Sequence, residues 1–220
     1  MNQQMPSFAI NPWWRIWVQP RQTIRYLIDT DPKMHFWVLV VFYGTIRAVA
    51  LGMQAQLGDV FAPSQVAAFI LIAGPLSGVI GVYFTAGLLE LVSRVFGGHA
   101  ESQHIRTVLA WATIPMTVLV ILGMSPLLAM FGSSVFTSTD PHMQQILYGR
   151  GFASEFLGRG LLTWEAGMEI LGSLYYLVII VVGLAEVQNF SIWKAAGTVF
   201  VVIGGLLLSL MCLATLTMTG

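Results

Sequence analysis

Five separate stretches of this chain are long and apolar enough to cross a bilayer, and they limit the fold more than any motif does. They cover residues 34–54, 66–93, 107–131, 164–187 and 194–218. A helix needs about 20 apolar residues to span hydrocarbon. Inside lipid every backbone N–H and C=O must be paired within the chain, which leaves helices or closed barrels. These runs are uniformly apolar, whereas barrel strands alternate. The expected fold is therefore an all-α integral membrane protein with five transmembrane helices. Composition agrees. Only 9% of the 220 residues are charged and mean hydropathy is +0.78, against about 25% charged in soluble domains. Net charge is zero, so no basic surface invites a nucleic-acid partner. The single cysteine, Cys212, lies in an apolar run and is expected to be a small buried side chain. No cleavable signal peptide or lipidation motif is visible.

Lys and Arg counted by side set the orientation. Arg15, Arg21, Arg25 and Lys33 precede the first span, Arg94 and Arg106 flank the second loop, and Lys194 follows the fourth span. Arg150 and Arg159 stand on the other side. Seven against two predicts a multi-pass protein with a cytoplasmic N-terminus and a C-terminus outside.

Residues 1–33 read as a cytoplasmic segment lying on the membrane surface. Pro12 and Pro20 each follow a polar residue, which suits the first turn of a short helix. In the second piece Ile24, Leu27 and Ile28 share one face, while Arg21, Arg25 and Asp29 share the other. Trp13, Trp14 and Trp17 favour the headgroup layer. The segment is expected to form short interfacial helices that anchor the chain or dock a partner. The five-span membrane domain, 34–220, carries a long outer loop at 132–163. "TDPHMQQILY" there predicts a helix capped by Asp140 with Pro141 in its first turn. Phe152, Phe156 and Leu157 add apolar rings and side chains between two "GRG" runs, neither of which has phosphate-loop spacing. Thr163 is expected to cap the fourth span, with Glu165 in its first turn.

Ionisable residues within spans are the first place to look for function. Arg47 lies roughly 20 Å along span one, toward its outer end. It can snorkel, or meet Glu169, Glu165 or Asp59. Glu90, about 6 Å from the inner end of span two, can pair with Arg94 at i,i+4, or with Arg106 or Lys194. Glu186 closes span four at its inner end. Such groups serve either as ion pairs orienting helices or as a polar pathway. In span two Gly74 and Gly78 are four apart, as are Ser77 and Gly81, a spacing that lets helices approach closely. Pro75 and Pro115 are expected to kink spans two and three. The two kinks either pack or frame a cavity.

The stretch "GGHAESQHIRTVLAWATIP", residues 97–115, places two histidines five apart with Glu101 between them. Zinc-binding helices set two histidines four apart with a glutamate beside the first, so this spacing does not describe a metal site. It describes an elbow: Gly97 and Gly98 end span two, and Pro115 sits inside span three. The glycine pair, the polar link, a basic residue and "VLAWATIP", together with "WVQPRQTIRYLIDTDP" near the N-terminus, resemble the Yip (Ypt-interacting protein) domain family. The resemblance runs from about Trp13 to the fifth span. It implies five spans with a cytoplasmic N-terminus. Eukaryotic members are Golgi and ER proteins that associate with Rab-type GTPases. The short polar stretch ahead of Trp13 is more similar to the compact bacterial branch. The family supplies no catalytic residues, and Gly97, Gly98 and Pro115 match it as structural positions.

Three functions remain in view. The first, following the resemblance, is a Yip-like protein of the cell inner membrane without catalytic activity or cofactor, acting through contacts with lipid, a membrane-protein partner or a second copy. The second is a transporter or channel for an ion, lipid or small polar solute. The third, an intramembrane enzyme, lacks a nucleophile with an evident base.

Overall fold

In the computed structural model the described residues are 11–151 and 154–219, and they are helical with no strand among them. Residues 1–10 of the N-terminal segment, and Phe152 of the outer loop, lie outside the described residues. The helices are α1 (Pro12–Val18), α2 (Pro20–Thr30), α3 (Phe36–Gln54), α4 (Pro63–Val95), α5 (Ser102–Phe131), α6 (Pro141–Tyr148), α7 (Arg159–Val187) and α8 (Ile192–Thr219). Five of them, α3, α4, α5, α7 and α8, are long and apolar enough to cross a membrane.

Local chemistry sets most helix ends. The Asn11 side chain accepts the Trp13 N–H at 3.1 Å and Pro12 opens α1. Asp140 accepts the His142 and Met143 N–H groups at the start of α6. At the end of α4, Gly97 takes φ +86°. The Gly98 N–H bonds the Ser93 carbonyl and the Gly97 N–H bonds the Arg94 carbonyl, the paired closure of a Schellman turn. The end of α7 repeats this pattern: Asn189 takes φ +53°, and Phe190 and Asn189 bond back to Ala185 and Glu186.

Three sequence expectations change. Helix α7 begins at Arg159, not 164, because Thr163 is not a cap. Its hydroxyl donates to the Arg159 and Gly160 carbonyls inside the helix, a bond that Thr makes readily in mid-helix, so Glu165 stands beyond the first turn. A π-helical turn at Ser154–Gly158 leads into α7. The loop expected over 132–163 is accordingly built mostly of helical turns. Cys212 is exposed. Its helix, α8, is the least buried of the five spans, so an apolar side chain there faces the surrounding medium. Pro75 lies inside α4, and Pro115 and Pro126 inside α5, as expected for positions where a proline bends a helix without ending it.

Two compact units form. The first takes the chain up to Met34, Phe84–Trp111 and the chain from Val178 on. The second takes His35–Tyr83 and Ala112–Leu177. Helices α4, α5 and α7 contribute to both. In the first unit Ile16, Ile24, Leu27, Ile105, Leu109 and Leu184 are fully buried. Gly183 lies against the Val108 side chain. In the second unit the backbones of α3 and α4 meet at Gly44, Gly74 and Gly78. A Cβ on Gly44 would stand 2.7 Å from the Gly78 Cα, and one on Gly74 would stand 2.8 Å from the Thr45 Cα. Gly81, in the other small-residue pair, has nothing within 4 Å. Gly172 seats against Met116 and Gly123 against Met168, so α5 and α7 pack by the same device. All residues of α5 from 107 to 117 are buried, which explains why its apolar pattern has no polar face there.

Candidate functional site

In the first unit, a carboxylate near the end of α7 gathers the N-terminal helices. Arg21 Nε donates to Glu186 Oε2 at 2.5 Å, and Arg25 pairs with Glu186 Oε1. Arg21 and Arg25 are one turn apart on α2, so both reach a single acceptor. The Glu186 side chain is only 6% exposed, whereas the arginines are about 60% exposed. The opposite face of α2 buries Thr23, Ile24 and Leu27. The expectation that these arginines lie on the face away from the apolar residues is correct, but their tips turn to the protein. Two further contacts hold this segment: the Thr107 hydroxyl donates to the Pro32 carbonyl at 2.6 Å, and Trp13 packs on Trp111 with ring centroids 5.5 Å apart.

Beside this latch the elbow is tied to α7 by one buried side chain. Gln188 Nε2 donates to Ser93 Oγ at 2.8 Å, and Gln188 Oε1 accepts the Ala100 N–H at 2.9 Å. Ser93 in turn donates to the Glu90 carbonyl. Gly98 is required here, since a Cβ would strike the Gln188 carboxamide and come within 2.9 Å of the Phe190 ring. The glycine pair thus does two jobs: Gly97 supplies the left-handed turn, and Gly98 leaves room for Gln188. Glu90 pairs with Arg94 at 2.5 Å, the i,i+4 option. His99 is exposed, and among the described residues no group of three His, Cys, Asp or Glu is placed to hold a metal ion.

The second unit holds the other ionic group. Arg47 on α3 donates to Glu169 Oε1 on α7 at 2.6 Å, each side chain being about one-quarter to one-third exposed. Gln54 approaches the other oxygen at 3.4 Å, and Tyr43 stacks on Tyr176 one turn away. Asp59 accepts the Ser138 backbone N–H and hydroxyl instead of meeting Arg47. A charge in a spanning helix is costly unless paired, and this pair ties α3 to α7.

Of the residues singled out from sequence, Arg47 with Glu169 and Glu90 with Arg94 are brought together. Glu186 finds Arg21 and Arg25, which sequence placed on α2 without a partner. Gly74 and Gly78 find Gly44. Gln188, the pin of the elbow, carried no signal beyond being a polar residue at the end of an apolar run.

These features define a polytopic helical membrane protein in which Glu186 and Glu169 on α7 pair with arginines of α2 and α3. The Yip1 domain model matches residues 14–214. The chain therefore belongs to the Yip1 domain family. No individual curated protein and no solved structure gives a significant match.

Proposed function

We propose that this is a non-catalytic bacterial inner-membrane protein that works by contact, presenting a folded platform at the cytoplasmic face to a membrane-protein partner, a second copy or lipid. The observation that carries this reading is the way α1 and α2 are held. Arg21, Arg25, Thr107 and Trp111 fix these helices to the first unit, yet Trp14 and Val18 are left about 80% exposed. A segment that served only as an anchor would not need this latch. Large exposed apolar side chains at a membrane–water boundary suit lipid headgroups and partner helices. The basic excess on the N-terminal side supports the cytoplasmic assignment.

The test is in-cell crosslinking followed by affinity purification in mild detergent, comparing the wild type with Trp14→Ala and with the latch-breaking Glu186→Gln. A recurring partner, lipid or dimer that is lost in both variants is expected. A monomer with nothing recurring refutes the reading. The partly buried Arg47–Glu169 pair supports the alternative, a transporter or channel. Solute flux into liposomes that Arg47→Ala abolishes would favour that reading over contact.

A further inference from the structure

Within the second unit, α3 and α4 touch at the glycines, and Val66 and Ile70 pack with Ala48 nearer the start of α4. Beside this contact lies a groove of about 550 Å³. Its wall on α4 is Pro63, Val66, Ala67, Ile70 and Leu71, positions spaced at i, i+3, i+4, i+7 and i+8 and therefore one face about 12 Å long. Val49 faces it from α3, and the 3-10 turn Gly132–Phe136 with Thr137 closes one end. No charged side chain lines it.

Three of the hydroxyls that line the groove already donate: Thr45 to Val41 O, Ser134 to Asp140 and Thr137 to Ser134 O. Ser133 adds a fourth hydroxyl at the 3-10 turn. A buried water needs two to four polar partners. An ion or a polar solute would therefore lose hydration with little replacement. The hydroxyl-bearing residues Ser133, Ser134 and Thr137 belong to the 3-10 turn and its end, whereas Val66, Ile70 and Leu71 belong to α4. Helices α3 and α4 are long and apolar enough to span a membrane, so this α4 face is suited to meeting lipid acyl chains.

We propose that this groove is a binding site for one acyl chain of a membrane glycerolipid. The chain runs along the α4 face toward Leu71, and its ester end rests at Ser133, whose hydroxyl can donate to it. The site requires only the membrane placement of α3 and α4, so it is independent of the partner reading above.

The protein is reconstituted in liposomes of phosphatidylethanolamine and phosphatidylglycerol with a phosphatidylethanolamine bearing a photoactivatable diazirine on one acyl chain. Labelled peptides are mapped by mass spectrometry. Labelling concentrated on residues 63–71 and 133–137 is expected. Ala67→Trp, which fills the groove, should cut it about tenfold, equivalent to about 1.4 kcal/mol of binding, while Ala68→Trp on the neighbouring exposed face should not. Leu71→Trp, at an exposed lining position, serves if Ala67→Trp fails to fold. Even labelling of all lipid-facing surfaces, or labelling of the groove unchanged by both Ala67→Trp and Leu71→Trp, overturns the proposal. A dimer that protects the groove and is dispersed by Ala67→Trp also overturns it, since a second copy would then be the occupant.

Discussion

The close approach of α3 and α4 makes opposite predictions for two glycines that look alike in sequence. In Gly44→Ala the new methyl would lie 2.7 Å from the Gly78 Cα and closer still to the Gly74 carbonyl oxygen. Both obstacles are backbone, so no rotamer change relieves them. Carbon atoms sit comfortably near 3.5 Å, so the helices must part by roughly 0.8 Å, and a gap of that size forfeits a quarter to a half of each contact's dispersion energy. Overpacking of this kind costs about 1–3 kcal/mol. For a chain of this size that lowers the melting temperature by about 2–12 °C. Gly81→Ala meets nothing within 4 Å. It should be neutral or stabilising by about 0.5–1 kcal/mol, because alanine loses less backbone freedom in a helix than glycine does. The assay is thermal unfolding of purified protein in one detergent, followed by tryptophan fluorescence. Equal shifts for the two variants, or a stabilised Gly44→Ala, would mean that the backbones are not in contact and that the packing argument fails.

The latch should break at modest cost from either side. Glu186→Gln returns two exposed guanidinium groups to water and costs about 1 kcal/mol or less. The double change Arg21→Ala with Arg25→Ala uncovers the Glu186 carboxylate, which lies under these exposed arginines, and should cost a similar amount; the same unfolding assay reads both, and a cost of about 3 kcal/mol or more for the double change would show a carboxylate stranded away from water. Gln188→Leu removes the partners of the Ala100 N–H and of Ser93. It should cost about 1–3 kcal/mol and speed hydrogen exchange at Ala100, whereas unchanged exchange would show that the pin is not made. The hydrogen bond from Ser134, and then those from the Met143 and His142 N–H groups, hold the Asp140 carboxyl below its ordinary value of 3.8. A folded-state value below the unfolded one stabilises α6 above the ordinary carboxylate value, and the gain is lost as pH falls through the folded value. Exchange protection of residues 141–148 should fall with acid in the wild type and stay level in Asp140→Asn, which keeps a capping oxygen but no charge; parallel acid profiles would refute this.

What the amino-acid sequence determined alone is whatever depends on solvent and on neighbours along the chain. Five apolar runs decide that the chain lives in lipid, because no other arrangement satisfies its backbone there. Asp140 before Pro141, and Gly97 before Gly98, mark helix ends by chemistry confined to one turn. Thr163 was misleading for a related reason: a threonine that caps and one that bonds back inside a helix look the same until the preceding residues are seen to be helical. The pairs required the tertiary structure. Arg47 had three carboxylates within plausible reach, and only the packing of α3 on α7 selects Glu169. Arg21 and Arg25 are 165 and 161 positions from Glu186, and no local rule joins them. Gly78 and Gly81 carry the same residue on the same helix, yet only Gly78 meets another backbone. Periodicity states which residues share a face, but the partner helix decides which face is filled.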